Sequence, residues 1–379
     1  MSQAGISARL LPRLAIAAAL CIVMASISAC NRKSASSGTI IVGQQRILAA
    51  AAPSAIAAIA SGGFAIAGKG GGAWAGVTDS TGSLLWEFRD REPGIKSGQE
   101  SSFEGVVQLA NGNILFCGSK SSTKTGGNGL ITIFSATGAV VEQRLMKPNG
   151  DATFFEALFS RCLKWNDGYV LVGRALKGNF EGYGWLVKLD KDGAKEWEVV
   201  SDDIPGASVS ETSAHNLVIA GSHTLESRLA IVNSRGETIA KRTFRGAYPV
   251  LLAAMHLADV TQVMIYSAAD RAVIWHTLNS RLEDVRPPVY LPEFDLTQGR
   301  GYVRSDNSLA LFGKTRGAAV AWISQDGKPV ADTVFNDRLK SFTLADAIPI
   351  TDNEFVAVRL SVSQAENDQG VVLSWIRFE

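Results

Sequence analysis

Seven short apolar segments recur along the chain, each directly after a turn. They are FAIAG at 64–68, ILFCG at 114–118, YVLVG at 169–173, LVIAG at 217–221, VMIYS at 263–267, LALFG at 309–313 and FVAVR at 355–359. Successive starts lie 50, 55, 48, 46, 46 and 46 residues apart. Turn formers such as SGG, NGN, NDG and DNS precede most of them, supplying the polar side chains and conformational freedom of tight turns. Four apolar residues bounded by turn signals read as a buried strand, because a helix needs a longer run.

Each segment is followed by a variable polar loop, a second strand and a tight turn. The clearest copies are WAGVTDSTGSLLW at 74–86 and WLVKLDKDGAKEW at 185–197, with weaker copies at 130–141, 229–240 and 320–331. Gly82, Gly138, Gly193, Gly236 and Gly327 fall where a hairpin turn needs positive φ. With the strand before each apolar segment, every unit holds four antiparallel strands. Four strands in about 48 residues, repeated seven times, predict an all-β chain folded as a seven-bladed β-propeller of four-stranded antiparallel blades. A sandwich or solenoid would also use short strands, but not a four-strand unit of this period. The seventh unit supplies only three strands before the sequence ends. The segment TIIVGQQRIL at 39–48 has no partner of its own, so residues 39–48 are expected to close the last blade as its outermost strand; the competing reading is more tether.

The first 29 residues differ from the rest. Arg9 and Arg13 precede an apolar run at 14–27 (LAIAAALCIVMASI), which Ser28, Ala29 and Cys30 follow. A basic segment, a short apolar core and small residues at its end make a secretory signal. As a helix the run would span about 21 Å, short of a hydrocarbon core of about 30 Å. The sequence ISAC at 27–30 resembles the lipobox of bacterial lipoproteins, and the chain is identified on it as one of that class. The resemblance implies a signal peptide at 1–29, cleavage before Cys30 and lipidation of Cys30. A tether at 30–38 and a propeller at 39–379 follow. Several acyl chains would anchor the protein firmly, where one binds marginally. Asn31 follows the cysteine in place of the aspartate associated with inner-membrane retention, so the expected address is the periplasmic face of the outer membrane.

The aspartate three before the turn glycine and the tryptophan four after it (Asp79, Gly82, Trp86; Asp190, Gly193, Trp197) resemble the tryptophan-docking repeats of PQQ-like and BamB-type propellers. The motif stands in two of seven units. It implies kinship of architecture and membrane tethering.

Composition narrows the chemistry. The formal charge is +1, which gives no electrostatic case for nucleic acid. With Cys21 in the signal and Cys30 lipidated, Cys117 and Cys162 remain: a disulfide of the oxidising periplasm, or two separate buried thiols. None of the four histidines (His215, His223, His256 and His276) has the spacing of a metal site, and no nucleotide-binding or nucleophile motif has its required context. No cofactor and no metal are expected. Long loops at 88–102, 119–128, 174–184 and 361–370 would share one face of a propeller, and function concentrates on such loops. Arg89, Arg91, Lys120, Phe180 and Tyr183 are the candidate partner-binding residues, since aromatics and arginine dominate contact energies. The reading is a monomeric, non-catalytic scaffold that binds an envelope protein; the alternative is a propeller enzyme acting on a glycan or small molecule through the central funnel.

Overall fold

A computed structural model describes residues 39–47, 51–90, 100–122, 126–178, 181–204, 206, 208–212, 214–223, 226–245, 250–257, 260–267, 272–291, 299–313, 320–333, 342–362 and 369–379. The signal, Cys30 and the tether lie outside them. So do Arg91 and Phe180.

Seven four-stranded antiparallel sheets account for every strand among the described residues. The innermost strands are Ala52–Ala58, Ser101–Gln108, Phe154–Trp165, Ser208–Glu211, Val250–Leu257, Gly299–Val303 and Phe342–Pro349, in blades 1 to 7. Each touches the next, and the last touches the first, so the blades form a closed ring. The protein is a seven-bladed β-propeller. Blade 7 is completed from the other end of the chain: Ile40–Ile47 lies outermost and pairs antiparallel with Gln369–Phe378, from Ile40 opposite Phe378 to Ile47 opposite Val371. Thr39 and Glu379 exchange backbone hydrogen bonds of 2.7 and 2.8 Å just beyond that ladder.

The apolar segments found in sequence are the second strands, and they are buried on both faces. Phe64, Ala65, Ile66 and Ala67 are all almost inaccessible. A strand covered on both sides reads as a continuous apolar run, without the alternation of a half-exposed one. One apolar cluster lies between each pair of neighbouring blades. Between blades 6 and 7 it is aromatic: Phe312, Phe355 and Phe378 stand within 6.3 Å of one another by ring centroid. Ile40 of the closing strand is buried in the same cluster.

Strand direction sorts the connections onto two faces. Turns between first and second strands, and between third and fourth, share one end of the ring, here called the turn face. Loops between second and third strands, and the links between blades, share the other, the loop face. On the turn face the five glycines anticipated from sequence all have positive φ, between 81 and 91°. Leu282, at φ 63°, holds that place in blade 5. Three residues before each of these, one side-chain oxygen gathers the turn's amides. Asp79 accepts from Thr81 and Ser83, Asp190 from Asp192 and Ala194, and Asn233 from Arg235 and Glu237. Asn279, Ser135 and Ser324 occupy the same place in blades 5, 2 and 6. These bonds hold the Asp79 and Asp190 carboxyls below their ordinary range: at Asp79 the Thr81 hydroxyl contributes most, at Asp190 the Ala194 amide.

Neighbouring blades are stitched at the same turns. Trp86 on the outer strand of blade 1 donates its indole N–H to Ala136 O in the blade 2 turn, at 3.1 Å. Arg144 of blade 2 donates to Gly193 O at 2.9 Å, and Arg242 of blade 4 to Leu282 O at 2.8 Å. Arg286 of blade 5 donates to Gln325 O at 3.3 Å. Trp197 of blade 3 lies against Gly236, where a Cβ would meet its ring at 3.1 Å. Tryptophan and arginine thus serve one purpose around the ring.

Candidate functional site

Five of the seven inner strands carry β-bulges, and those of blades 1, 2 and 3 meet at one side chain. Ser54, Glu104 and Ser160 are the extra residues where the ladders of blades 1, 2 and 3 slip. A bulge leaves its residue outside the ladder. Arg161 Nη1 collects the carbonyl oxygens of all three, at 3.4, 2.8 and 3.5 Å. A half-buried guanidinium thereby links three successive blades at the axis.

Above that contact, on the loop face, lies a cavity of about 390 Å³ whose walls come from the same three blades. Lys69 ends the second strand of blade 1, Glu100 to Ser102 lead into blade 2, and Phe155 to Leu158 open blade 3. The hairpin of blade 2 (Ile114–Ser122 and Gly126–Phe134) leans on blade 3. Gly126 permits this approach: its φ is 69°, and a Cβ there would stand 1.7 Å from Phe155 O. The lining is mixed: seven polar residues stand beside Phe155, Ala157 and Leu158. Ser121 Oγ donates to Glu100 O (3.0 Å) and accepts from Glu100 N (3.2 Å), and Ser101 Oγ accepts from Ala73 N (2.8 Å). Glu156 pairs with Arg174 at 3.6 Å. Such a surface can exchange hydrogen bonds and one or two ion pairs with a ligand.

Of the residues singled out from sequence, Arg89, Lys120 and Tyr183 fall on the loop face in blades 1, 2 and 3. Lys120 meets Asp90 at 3.2 Å, which ties the rims of blades 1 and 2. Arg89 pairs with Glu87 at 3.3 Å, and Glu87 also accepts the Trp74 indole N–H at 3.0 Å. Tyr183 belongs to a separate cluster: Lys177 lies 5.1 Å from the rings of both Phe154 and Tyr183, and the Tyr183 hydroxyl donates to Glu181 at 2.9 Å. The Glu181 carboxylate holds that phenol above its ordinary range. Glu100 and Ser121 fall within the loops expected on this face at 88–102 and 119–128, though neither was singled out, and Lys69 and Glu156 lie outside those loops.

Cys117 and Cys162 stand as free thiols. They are not apart, however: both lie in the buried cluster between blades 2 and 3. Gly105 makes the room, since a Cβ there would come 2.8 Å from Cys117 Sγ and 2.7 Å from the Cys162 amide nitrogen. Burial, then the neighbouring thiol, pushes Cys117 well above its ordinary pKa of 9.0.

His215 is exposed in a turn, at 2.6 Å from Glu211, while its carbonyl accepts the Trp165 indole N–H at 2.9 Å. His276 is largely buried and bonded to Asp284. Among the described residues no group of three or more His, Cys, Asp or Glu side chains could hold a metal ion.

No protein-family model and no curated protein matches the chain. Solved structures do. A protein of unknown function from Dyadobacter fermentans DSM 18053 superposes with a TM-score of 0.51 at 12% identity, covering 89% of this chain and 99% of that one. A protein of unknown function from Bacteroides caccae gives 0.41 at 13%, covering 79% and 98%. A prolyl endopeptidase gives 0.46 at 14%, covering 83% of this chain and 46% of its own. At these identities the likeness concerns the fold alone.

Proposed function

We propose that this propeller is a lipid-anchored, non-catalytic scaffold of a bacterial envelope that binds a protein partner on its loop face over blades 1 to 3. The cavity carries the reading: its wall, with seven polar residues, is assembled from three blades and rests on a closed ring, as binding loops on a stable scaffold do. Lys69, Glu156 and the Tyr183 cluster give that face charge and aromatic surface for a protein. The anchor rests on ISAC at 27–30, and the place of action is the periplasmic side of the outer membrane.

The test uses the full chain cross-linked in envelopes of the producing bacterium. A partner that is lost on Lys69→Glu, Glu156→Arg or Tyr183→Ala, but kept on the turn-face change Arg235→Ala, is the expected result. A partner set indifferent to all three loop-face changes, or turnover of a glycan or small molecule that those changes abolish, would overturn it.

A further inference from the structure

The chain enters the ring on the turn face. The third strand of blade 7 runs from the loop face to the turn face, so Phe378 and Glu379 end there, and Thr39 is bonded to Glu379 in both directions. Only residues 31–38 separate Thr39 from Cys30. Fully stretched they reach about 30 Å, and as a coil about 15 Å.

The same end carries a repeated apolar feature. In blade 1 Thr78 pairs with Leu84 and Val77 with Trp86, so Leu85 is the extra residue of an edge bulge. The identical slip isolates Val141 in blade 2, Glu196 in blade 3, Ile239 in blade 4 and Val330 in blade 6. In blade 5 the bridge between Leu278 and Asp284 sets Val285 at the equivalent place. Bulges re-aim the side chain that they isolate. Leu85, Val141, Ile239 and Val285 are 60, 57, 54 and 52% exposed. Ile350, in a blade 7 turn, and Ile41, at the start of the closing strand, add to the same end.

Blunting an edge needs the bulge itself and not an apolar side chain on it, so a repeated apolar choice asks for a partner. Charges of both signs stand among these residues, with acids in excess: the turns between third and fourth strands hold Lys191, Arg235, Arg281 and Lys328 against Asp79, Asp190, Asp192, Glu237, Glu283 and Asp326. Spaced apolar side chains among charges of both signs, with no excess of bases, suit the boundary of headgroups and acyl chains of a neutral bilayer. We infer that the turn face lies on the lipid bilayer, with Leu85, Val141, Ile239 and Val285 entering the headgroup region and the loop face turned away. This rests on the anchor at Cys30 proposed above.

The experiment takes the full chain, processed in a lipoprotein-making bacterium and placed in phosphatidylcholine vesicles containing brominated lipid. A fluorophore is attached at Thr137→Cys on the turn face or Glu181→Cys on the loop face; both native thiols of the ring are buried. Palmitate incorporation, lost on Cys30→Ser, reads the anchor separately. The expected result is quenching at residue 137 at least about threefold that at residue 181. Exchanging Leu85, Val141, Ile239 and Val285 for serine together should erase the difference. Palmitate incorporation with equal, reversed or absent quenching would overturn the orientation while the anchor stands. A difference that survives the serine exchange would overturn the role of the bulges, and a chain that takes up no palmitate would overturn the anchor and this inference with it.

Discussion

The indole of Trp86 and the glycine at position 138 belong to different blades, yet each fixes the other. The Trp86 N–H is bonded to Ala136 O at 3.1 Å, and the ring lies where a Cβ on Gly138 would meet it at 2.8 Å. Trp86 is half-buried, so its contribution is less than that of a full core tryptophan. Trp86→Ala should lower unfolding stability by about 2 kcal/mol, and Trp86→Phe, which keeps a ring but no donor, by about 1 kcal/mol. Urea denaturation of the two variants measures both.

Arg161 offers a second test of inter-blade stitching. Arg161→Met keeps the apolar stem but leaves the carbonyls of Ser54 and Glu104 without their shared donor. A loss of about 2–3 kcal/mol is expected. Arg161→Lys should recover only part of it, because the ammonium keeps a charged donor but loses the planar, preorganised stem that places Nη1 among the three carbonyls.

High pH should act through Cys117. Its folded pKa is raised, chiefly by burial, while the unfolded thiol ionises near 8.5. Stability from the neutral thiol is therefore complete below about pH 8.5 and is lost as pH rises through the alkaline range. The denaturation midpoint should fall between about pH 8 and about pH 10, and fall less in Cys117→Ala.

Low pH acts at the blade 4–blade 5 contact. Burial is the largest influence on Asp284 and opposes its ionisation. The bonds from Arg242 (2.6 Å) and His276 (2.8 Å) outweigh it, holding the carboxyl below 3.8. His276 is lowered from 6.5, first by burial, so its neutral ring with Nδ1 protonated donates to Asp284. Both folded values are depressed, so both contributions are full above the unfolded values and vanish as pH falls. The melting temperature should drop in two stages, below about pH 6.5 and again below about pH 4. His276→Gln should remove the first and Asp284→Asn the second.

The architecture was readable because its signal is local and repeated. A strand buried on both faces writes itself as four apolar residues, and a turn needing positive φ writes itself as glycine. The blade 5 turn left no such mark, since Leu282 adopts that conformation without glycine. Asn and Ser replace Asp in four turns because a hydroxyl or amide oxygen gathers the same amides as a carboxylate. The docking position was visible only at Trp86 and Trp197. Arg144, Arg242 and Arg286 make the equivalent contact from another side-chain length, and no fixed spacing reveals that. The cavity was less legible still. Lys69, Glu100 and Glu156 lie far apart in sequence and become neighbours only when the ring closes. The approach of Cys117 to Cys162 likewise depends on the missing side chain at Gly105, opposite Cys117 on the neighbouring strand.

Joining the strand at 40–47 to that at 369–378 also imposes an order in time. A chain made from its N-terminus produces the closing strand first and its partner last. That strand waits, unpaired, while six blades and most of a seventh are made. Until the final residues arrive, blade 7 has an open edge and the Phe378 aromatic cluster is incomplete. Closure of the ring thus waits for residues 369–378, and a product truncated before them would be an open arc with strand edges available to other chains.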